Sequence, residues 1–407
     1  MHFHFSFYSS TLLIFFSQGV IFSFLLLKKG IQTDNLPSKW LSLFVFLCSI
    51  YLLPWLLGFA GWYSIEFYRN ILFYVPVQHL FLIGPSIYFY TKSLLNPSFK
   101  FKRKDSLHFL PAIFYLIYRL VIFATDIIIL KESYFYANGR DKNLDNWYQI
   151  SGFLSMTLYY LLSLKYYTIY EKIIKQTLSF TDMILFSWIK KYLLAFLFMQ
   201  MLWLLFFLFY PDWGNFKEKW WYYLFFSMLL YYIGITGYVN NIKALIPFRF
   251  LKNDLNTIYL LGEGPNINSI ENNSTVSLKQ SQVMETNQQI EIWKGKIIEA
   301  LEKDKLYKNP KLTLQDLADH LETNQTLISK MVNQGFGINF NDFINEFRIK
   351  EVIFLLQKGA HKKHTLLGIA IDSGFNSKST FNRCFKKFTG KPPKDFIENL
   401  NSNSSLK

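Results

Sequence analysis

Cysteine is scarce in this sequence: only Cys48 and Cys384 occur among 407 residues. Cys48 lies in an apolar run and Cys384 lies in a basic region near the C-terminus, so we expect no disulfide between them. Two distant cysteines cannot supply a cysteine-based zinc site, which needs several ligands at regular spacing. We therefore interpret both as small packing residues, and we expect neither a metal ion nor a cofactor.

Acidic residues are also few, with 28 Asp and Glu against 43 Lys and Arg, which gives a formal net charge of +15. Such a balance favours anionic partners, namely nucleic acid, lipid headgroups or both. The sequence also lacks a metal-binding motif, a nucleotide-binding loop and a convincing nucleophile with a base. We therefore do not expect an enzyme.

Apolar residues, by contrast, are abundant: 51% of the chain is hydrophobic and 19% is aromatic, which is high for a soluble protein. The apolar part extends to Tyr238, and a stretch rich in Asn, Ser, Gln and Glu follows from Gly262 to Gln289. The composition predicts a transmembrane domain over 1–240, a juxtamembrane segment and flexible linker over 241–288, a soluble helical domain over 289–400 and a disordered tail over 401–407.

Seven segments of the apolar part are long enough to cross about 30 Å of hydrocarbon as helices. Trp and Tyr recur at their ends, as is typical of membrane interfaces. A set of buried core helices is the alternative, but seven apolar runs in succession make it improbable. Within the third segment, Gly84-Pro85 indicates either a kink or ordinary bundle packing. The segments are Ser9 to Leu27, Trp40 to Trp62, Ile71 to Tyr90, Leu107 to Leu130, Trp147 to Leu164, Tyr192 to Tyr210 and Trp220 to Tyr238.

Lys and Arg are distributed unevenly over the connections between these segments. Every second connection is strongly basic, as with Lys102 and Lys104, whereas the others hold few basic residues with acidic neighbours, as with Arg69 and Glu66. Basic loops stay in the cytoplasm, so the sequence predicts a multi-pass protein of the inner (cytoplasmic) membrane with its N-terminus outside. The C-terminal domain then lies in the cytoplasm.

One charged side chain, Arg119, falls near the midpoint of the fourth segment, where a charge costs about 2.5–3.5 kcal/mol. One hypothesis is that polar groups converge there on a pocket in which Arg119 binds an anionic or carbonyl-bearing ligand. The alternative is that Arg119 satisfies backbone carbonyls at a turn loosened by proline, or bonds neutral side chains. The other groups of this possible sensing site are Gln18, Gln78, His79, Asp126 and Gln200.

The C-terminal part contains the same pattern twice: a short amphipathic helix, a turn and a second helix. A longer helix over residues 339–357 separates the two copies, and Gly374 can supply a left-handed turn in the second copy. Two short helices joined by a tight turn form a helix-turn-helix unit, whose second helix can enter the major groove. The helix caps that we expect are Thr313, Asn324, Thr365 and Ser377.

Three strings in this part carry a specific resemblance: LTLQDLADHLETNQTLISKMVN, NFNDFINEFRIKEVIFLL and, above all, TLLGIAIDSGFNSKSTFNRCFKKFTGKPPKDF. On these strings, residues 290–400 resemble the DNA-binding domain of the AraC family of bacterial transcription regulators. The resemblance implies two helix-turn-helix units that read adjacent major-groove segments of DNA. The apolar part is similar, through GPSIYFYTKSLL and LHFLP, to bacterial regulators that place seven spans ahead of this domain.

The resemblance also implies DNA contacts from two recognition helices. The first helix is mostly uncharged, so its sequence readout is expected to be weaker or water-mediated. For Arg383 we favour a base contact over a phosphate contact or solvated surface, whereas Arg348 is expected to be structural. The implied contacts are Thr326, Ser329 and Lys330 in the first helix and Lys378, Ser379, Thr380, Asn382, Arg383, Lys386 and Lys387 in the second, the last two with phosphate.

The fold class predicted from the sequence is all-α, with a seven-helix transmembrane bundle followed by a soluble domain with two helix-turn-helix units. The leading functional hypothesis is a one-component regulator that binds double-stranded DNA under the control of a small ligand or membrane signal. A transporter-like protein and a constitutive membrane tether, each with a DNA-binding module, are the alternatives. The bilayer is a further expected partner, and pairing into a homodimer is a further hypothesis.

Overall fold

The computed structural model describes residues 4–136, 145–179, 184–209, 217–240, 248–250, 258–260 and 279–404. The chain divides into two compact units. The first contains residues 1–168 and 187–249, and the second contains residues 169–186 and 250–407.

The first unit is mainly helical in its described residues. A 3-10 helix over Arg103–Phe109 precedes α5, and a π-helix over Ala124–Leu130 follows it, so the fourth predicted segment is almost continuously helical. The helices of this part of the chain are α1 (Phe7–Gln32), α2 (Leu36–Phe59), α3 (Glu66–Tyr74), α4 (Leu80–Leu95), α5 (Leu110–Phe123), α6 (Asp145–Thr177), α7 (Ile184–Phe209) and α8 (Lys219–Val239).

Five helical stretches are long and apolar enough to cross a membrane: Phe7–Gln32, Leu36–Phe59, Arg103–Leu130, Trp188–Phe206 and Lys219–Val239. They correspond to five of the seven predicted segments, and the third and fifth do not meet the same criteria. The fifth lies in α6, where serine, threonine, glutamine and tyrosine lower the hydropathy of an otherwise suitable helix.

The third predicted segment is not one helix, which corrects the sequence prediction. The α3 helix ends at Tyr74 and α4 begins at Leu80, with Pro76 between them. Proline has no amide hydrogen to donate, and it disfavours helical backbone in the residue before it. Pro85 lies inside α4 and is buried, so the chain breaks at Pro76 and not at Gly84-Pro85.

Small residues allow close packing in the first unit. A Cβ on Gly19 of α1 would lie 2.2 Å from Ser49 Oγ of α2, and one on Gly237 of α8 would lie 2.4 Å from Leu41 Cδ2. Contacts of this kind let helix backbones approach closely, as in membrane bundles. Both contacts involve α2, which is also the most buried of the five long apolar stretches.

The second unit contains the C-terminal helices. Short 3-10 helices over Leu306–Lys308 and Ala360–Lys362 precede the first helix of each helix-turn-helix unit. The helices are α9 (Lys279–Lys303), α10 (Leu314–His320), α11 (Gln325–Gly335), α12 (Phe340–Gln357), α13 (Leu366–Asp372), α14 (Lys378–Thr389) and α15 (Pro393–Ser404).

Three boundaries differ from the sequence prediction. The α9 helix begins at Lys279, inside the predicted linker, and α15 continues to Ser404, inside the predicted disordered tail. Two three-residue strands, β1 (Phe248–Phe250) and β2 (Ile258–Leu260), pair with each other, which departs from a purely helical fold. Their aromatic and β-branched residues favour extended backbone within an otherwise polar segment.

Two separate hydrophobic cores hold the C-terminal domain together, and α12 contributes to both. Its first half buries Phe340 and Ile344 with residues of α10 and α11, and its second half buries Val352 and Leu356 with residues of α13 and α14. The connecting helix thereby fixes each helix-turn-helix unit to the same rigid element.

Candidate nucleic-acid interface

The first helix-turn-helix unit consists of α10 and α11. Thr313 caps α10 by accepting a hydrogen bond from the Asp316 amide, and the Asp316 carboxylate accepts one from the Thr313 amide. The Asn324 side chain accepts from the Leu327 amide at the start of α11 at 2.7 Å. Both predicted caps are confirmed, because an oxygen-bearing side chain at this position satisfies amides that the helix leaves unpaired.

The second unit consists of α13 and α14 and uses the same local chemistry. Thr365 accepts from the Gly368 amide, and Ser377 accepts from the Thr380 amide. Gly374 has a φ of +98° in the turn between the helices, as the sequence predicted. A side chain there is excluded, because a Cβ would lie 2.3 Å from the Tyr307 carbonyl oxygen.

One face of α14 is polar and strongly basic. Phe381 and Phe385 are buried in the domain core, while Lys378, Arg383 and Lys386 are exposed. Within α14 there is no acidic residue, so the helix offers a positive surface to a polyanion. Ser379 and Asn382 are exposed on the same helix and can hydrogen-bond to base edges or phosphates.

Thr380 does not belong to this exposed face, contrary to the sequence prediction. Its side chain is only 2% exposed, and its hydroxyl lies 2.8 Å from the Ser377 hydroxyl. The third residue after a cap points back toward the cap, so Thr380 completes the start of α14 and is not available to DNA.

Lys387 is exposed but already has an anionic neighbour. Its Nζ lies 2.7 Å from Asp342 Oδ2 on α12. Sequence reasoning missed this pair because Asp342, at the third position of a helix, looks like a capping residue alone. The pair links the second recognition helix to the connecting helix, and it weakens the case for Lys387 as a phosphate contact.

The first recognition helix, α11, is less charged than α14. Thr326 and Lys330 are exposed, whereas Ser329 is half-buried and accepts hydrogen bonds from the Asn333 side-chain amide. Lys330 is its only charged residue. The difference between the two helices agrees with the weaker readout expected of the first.

Arg348 of α12 is not at this surface. It is 1% exposed, and its guanidinium donates to the backbone oxygens of Tyr307 and Asn309, both at 2.8 Å. Burial lowers the pKa of Arg348 to about 10, which leaves it charged at neutral pH. This buried position among backbone oxygens agrees with the structural role that was expected of Arg348.

In the first unit, Arg119 and Asp126 lie near one aromatic cluster of Phe73, Tyr74 and Tyr136. Arg119 Nη2 donates to the Phe73 carbonyl oxygen, and its guanidinium lies 5.2 Å from the centre of the Tyr136 ring. Asp126 is buried and accepts from the Tyr74 hydroxyl at 2.8 Å. Phe73 lies in the last turn of α3, so its carbonyl is one that the break at Pro76 leaves without a helical donor.

The remaining polar residues of the predicted sensing site have other hydrogen-bond and ring contacts, although His79 lies close enough to Arg119 for an electrostatic interaction. Gln78 donates to the Tyr51 carbonyl oxygen at 3.3 Å, and the His79 ring stands edge-on to Tyr115 at 6.5 Å. Gln200 lines a small cavity with Tyr51, and its buried Nε2 has no hydrogen-bond partner in the described part of the chain. The half-buried Gln18 of α1 is not among the residues that line this cavity. Of the six residues, only Gln200 is among those that line this cavity, and the shared sensing site stays a prediction.

Among the described residues, no group of three or more His, Cys, Asp or Glu side chains could hold a metal ion. His320 is exposed and lies 2.9 Å from Asp304 through its Nε2.

Comparison with known proteins identifies the C-terminal part. A family model described as a helix-turn-helix domain matches residues 317–399. An uncharacterized HTH-type transcriptional regulator of Staphylococcus aureus strain COL is 30% identical over 91 residues, which is 22% of this chain and 12% of the relative. The transcriptional regulatory protein HptR of Staphylococcus aureus is 30% identical over 88 residues, 22% of this chain and 33% of that relative.

The chain spans only an eighth to a third of the length of these relatives. No solved structure matches the chain. The matched residues contain both recognition helices, α11 and α14, in full. They begin inside α10, so the start of the first helix-turn-helix unit lies outside the match. Residues 317–399 therefore match a helix-turn-helix domain of the AraC type, and the chain is similar to proteins named HTH-type transcriptional regulators.

Proposed function

We propose that this protein is a membrane-embedded, one-component transcription regulator. Its cytoplasmic domain binds double-stranded DNA in a sequence-specific manner, and a signal received in or through the membrane bundle controls that binding. The observation that carries the proposal is the exposed basic face of α14 in a domain with two complete helix-turn-helix units. Five apolar helical stretches ahead of this domain support the membrane location.

Each recognition helix has a distinct role in this proposal. Lys378 and Lys386 bind phosphates and position the domain, while Arg383 reads a base edge from the middle of α14. Thr326 and Lys330 of α11 contact the neighbouring groove segment, with Ser329 contributing through water. A homodimer would place four recognition helices on one operator, and confinement in a membrane would favour such pairing by raising the effective concentration.

The proposed signal acts on the first unit, where buried polar groups are costly and therefore informative. Arg119 and Asp126 have protein partners, which favours a structural role for them. Gln200 combines a buried amide without a partner and an adjoining cavity. Arg119 Nε is likewise buried and has no hydrogen-bond partner in the described part of the chain, so it is the adjoining cavity that makes Gln200 the better starting point in a search for a ligand that carries a hydrogen-bond acceptor.

The test is DNA binding by the full-length protein in lipid nanodiscs. Fragments from the protein's own regulatory region should bind with an affinity that falls steeply as salt increases, because phosphate contacts release counterions. Arg383→Ala should cost about 1–3 kcal/mol at one base position and little at others. Lys303→Ala removes one positive charge from an exposed position of α9 and is the matched control.

Two results would contradict the proposal. Absence of binding to every such fragment at low salt would exclude sequence-specific regulation by this domain. An Arg383→Ala loss of equal size on all sequences would assign the residue to phosphate and leave the base-reading role to other side chains.

A further inference from the structure

The guanidinium of Arg348 is fully hydrogen-bonded, and part of that bonding comes from a distant part of the chain. Its five N–H groups have five acceptors: Tyr307 O, Asn309 O, Asn345 Oδ1, Ser179 O and Ser179 Oγ. Ser179 follows the C-terminal end of α6, 169 residues before Arg348, yet it belongs to the same compact unit. The DNA-binding domain therefore includes contacts with the end of α6.

Leu178 and Ser179 make further contacts with this domain. The Ser179 amide donates to the Leu312 carbonyl oxygen at 3.2 Å, and Leu178 pairs with Thr313 as an isolated antiparallel bridge. Asn341 Nδ2 donates to the Leu178 carbonyl oxygen at 3.3 Å. The segment is thus held by backbone pairing on one side and by two side chains of α12 on the other.

Burial makes these bonds consequential. Arg348 is 1% exposed, Leu178 is 3% exposed and Ser179 is fully buried. A buried cation that loses hydrogen-bond acceptors is destabilising, because water cannot reach it to replace them. Without Ser179, two guanidinium donors of Arg348 would lose their acceptors, so the domain is more stable with the segment in place.

We propose that residues 177–179 are a docking segment, which ties the end of α6 to the DNA-binding domain and lets α6 act on the first helix-turn-helix unit. The segment pairs with Leu312 and Thr313, and Thr313 is the cap of α10. The same Arg348 that holds Ser179 also holds the turn at Tyr307 and Asn309 just before α10. The domain is therefore connected at two places, through the covalent linker that precedes α9 and through this contact.

The signalling consequence rests on the proposed function, but the contact can be tested alone. Hydrogen exchange measured by mass spectrometry on the full-length protein in nanodiscs needs neither a signal nor DNA. The Ser179 amide should be protected. Ser179→Ala should speed its exchange, and that of residues 306–313, by about tenfold or more, as expected for loss of one hydrogen bond to a charged donor.

Leu178→Asp provides a stronger perturbation of the segment, because it places a carboxylate at a buried apolar position. Exchange over 306–313 should then rise further, while α14 remains protected because its core does not include Leu178. Thr168→Ala is the matched control, since it removes an exposed hydroxyl that bonds only to Lys165 O in its own helix. It should leave both regions unchanged.

Three outcomes decide the matter. Rapid exchange of the Ser179 amide in the unmodified protein would overturn the docking contact, and so would unchanged exchange of 306–313 in Leu178→Asp. A protected Ser179 amide that responds to both substitutions supports docking, even if the protein binds no regulatory DNA. If this protection is observed and the protein binds no regulatory DNA, the proposed function is wrong but the docking contact is supported.

Discussion

The half-buried Arg119 and the buried Arg348 take backbone oxygens as partners, and no carboxylate is among the hydrogen-bond acceptors that the structure gives them. Arg119 donates to Phe73 O, and Arg348 donates to three backbone oxygens. A carbonyl oxygen exposed by a helix break or a turn is a fixed acceptor with no charge of its own to desolvate. Sequence analysis can find such arginines by their apolar surroundings, but it cannot identify the carbonyl that each one meets.

Arg119 should therefore contribute to folding. Arg119→Met removes the donor to Phe73 O and should lower the stability of the detergent-solubilised protein by about 1–3 kcal/mol, because a buried acceptor is left unsatisfied. Arg119→Lys keeps a charge and should restore part of the loss. Thermal unfolding followed by tryptophan fluorescence measures both, and unchanged stability in Arg119→Met would favour the ligand role predicted from the sequence.

Lys386 and Lys387 are adjacent in α14 but differ in their surroundings. Lys387 pairs with Asp342 at 2.7 Å, while Lys386 is exposed on the basic face. Lys386→Ala should reduce the slope of log affinity against log salt by about 0.9, the value for one phosphate contact. Lys387→Ala should change that slope less and lower folding stability by no more than about 1 kcal/mol, since the pair is partly exposed.

Salt titrations of DNA binding by the two variants provide the measurement. Asp342→Asn is the matched control, because it releases Lys387 without removing a cation. Equal slope changes in Lys386→Ala and Lys387→Ala would show that DNA displaces Asp342 and that both lysines contact phosphate.

At the scale of elements, helix starts were predictable and helix breaks were less so. All four predicted caps were found at the expected residues, because a cap depends on a side chain and amides only two or three positions away. The break at Pro76 was missed because an apolar run predicts burial or membrane insertion without specifying continuous helix. Thr380 was wrongly placed on the exposed face for a related reason. Its sequence position puts it in α14, but it does not show that the side chain turns back toward the cap residue Ser377.

The turn of the second helix-turn-helix unit has a strict requirement at Gly374. Gly374→Ala combines a left-handed backbone, which costs about 1–2 kcal/mol for a residue with a Cβ, with a contact of 2.3 Å to Tyr307 O. We expect the free energy of unfolding to fall by more than about 2 kcal/mol, because the two effects add. Hydrogen exchange of α13 and α14 in the intact protein should increase.

Gly390→Ala is the control for this prediction. Gly390 also has a positive φ, of 75°, but nothing lies within 4 Å of its added Cβ. Gly390→Ala should therefore lower the free energy of unfolding only by the cost of the left-handed backbone. Equal effects of the two substitutions would mean that the clash with Tyr307 is relieved by a small movement of the turn.

At the scale of the whole molecule, the sequence identified the DNA-binding part and the surface of α14, because both depend on local patterns. It could not identify the docking of residues 177–179 on α12, which joins positions 163 or more residues apart through backbone oxygens. Nor did hydropathy decide the number of spans: five helical stretches are long and apolar enough to cross a membrane, whereas the sequence predicted seven. The charge of the connections provides independent information on that number.

The positive connection over 100–104 and the acidic one at Glu132 should lie on opposite sides of the membrane. If the broken α3–α4 segment crosses, Lys104 is cytoplasmic and Glu132 is external, as the distribution of Lys and Arg predicts. Both residues are exposed, and the native Cys48 and Cys384 are buried, so single-cysteine labelling has a low background. A membrane-impermeant maleimide should label Glu132→Cys in intact cells and Lys104→Cys only after the membrane is disrupted. The unmodified protein is the control for the native cysteines. Labelling of Lys104→Cys in intact cells would mean that the α3–α4 segment enters and leaves the membrane on the same side, because Lys104 would then share the external side with the start of α3.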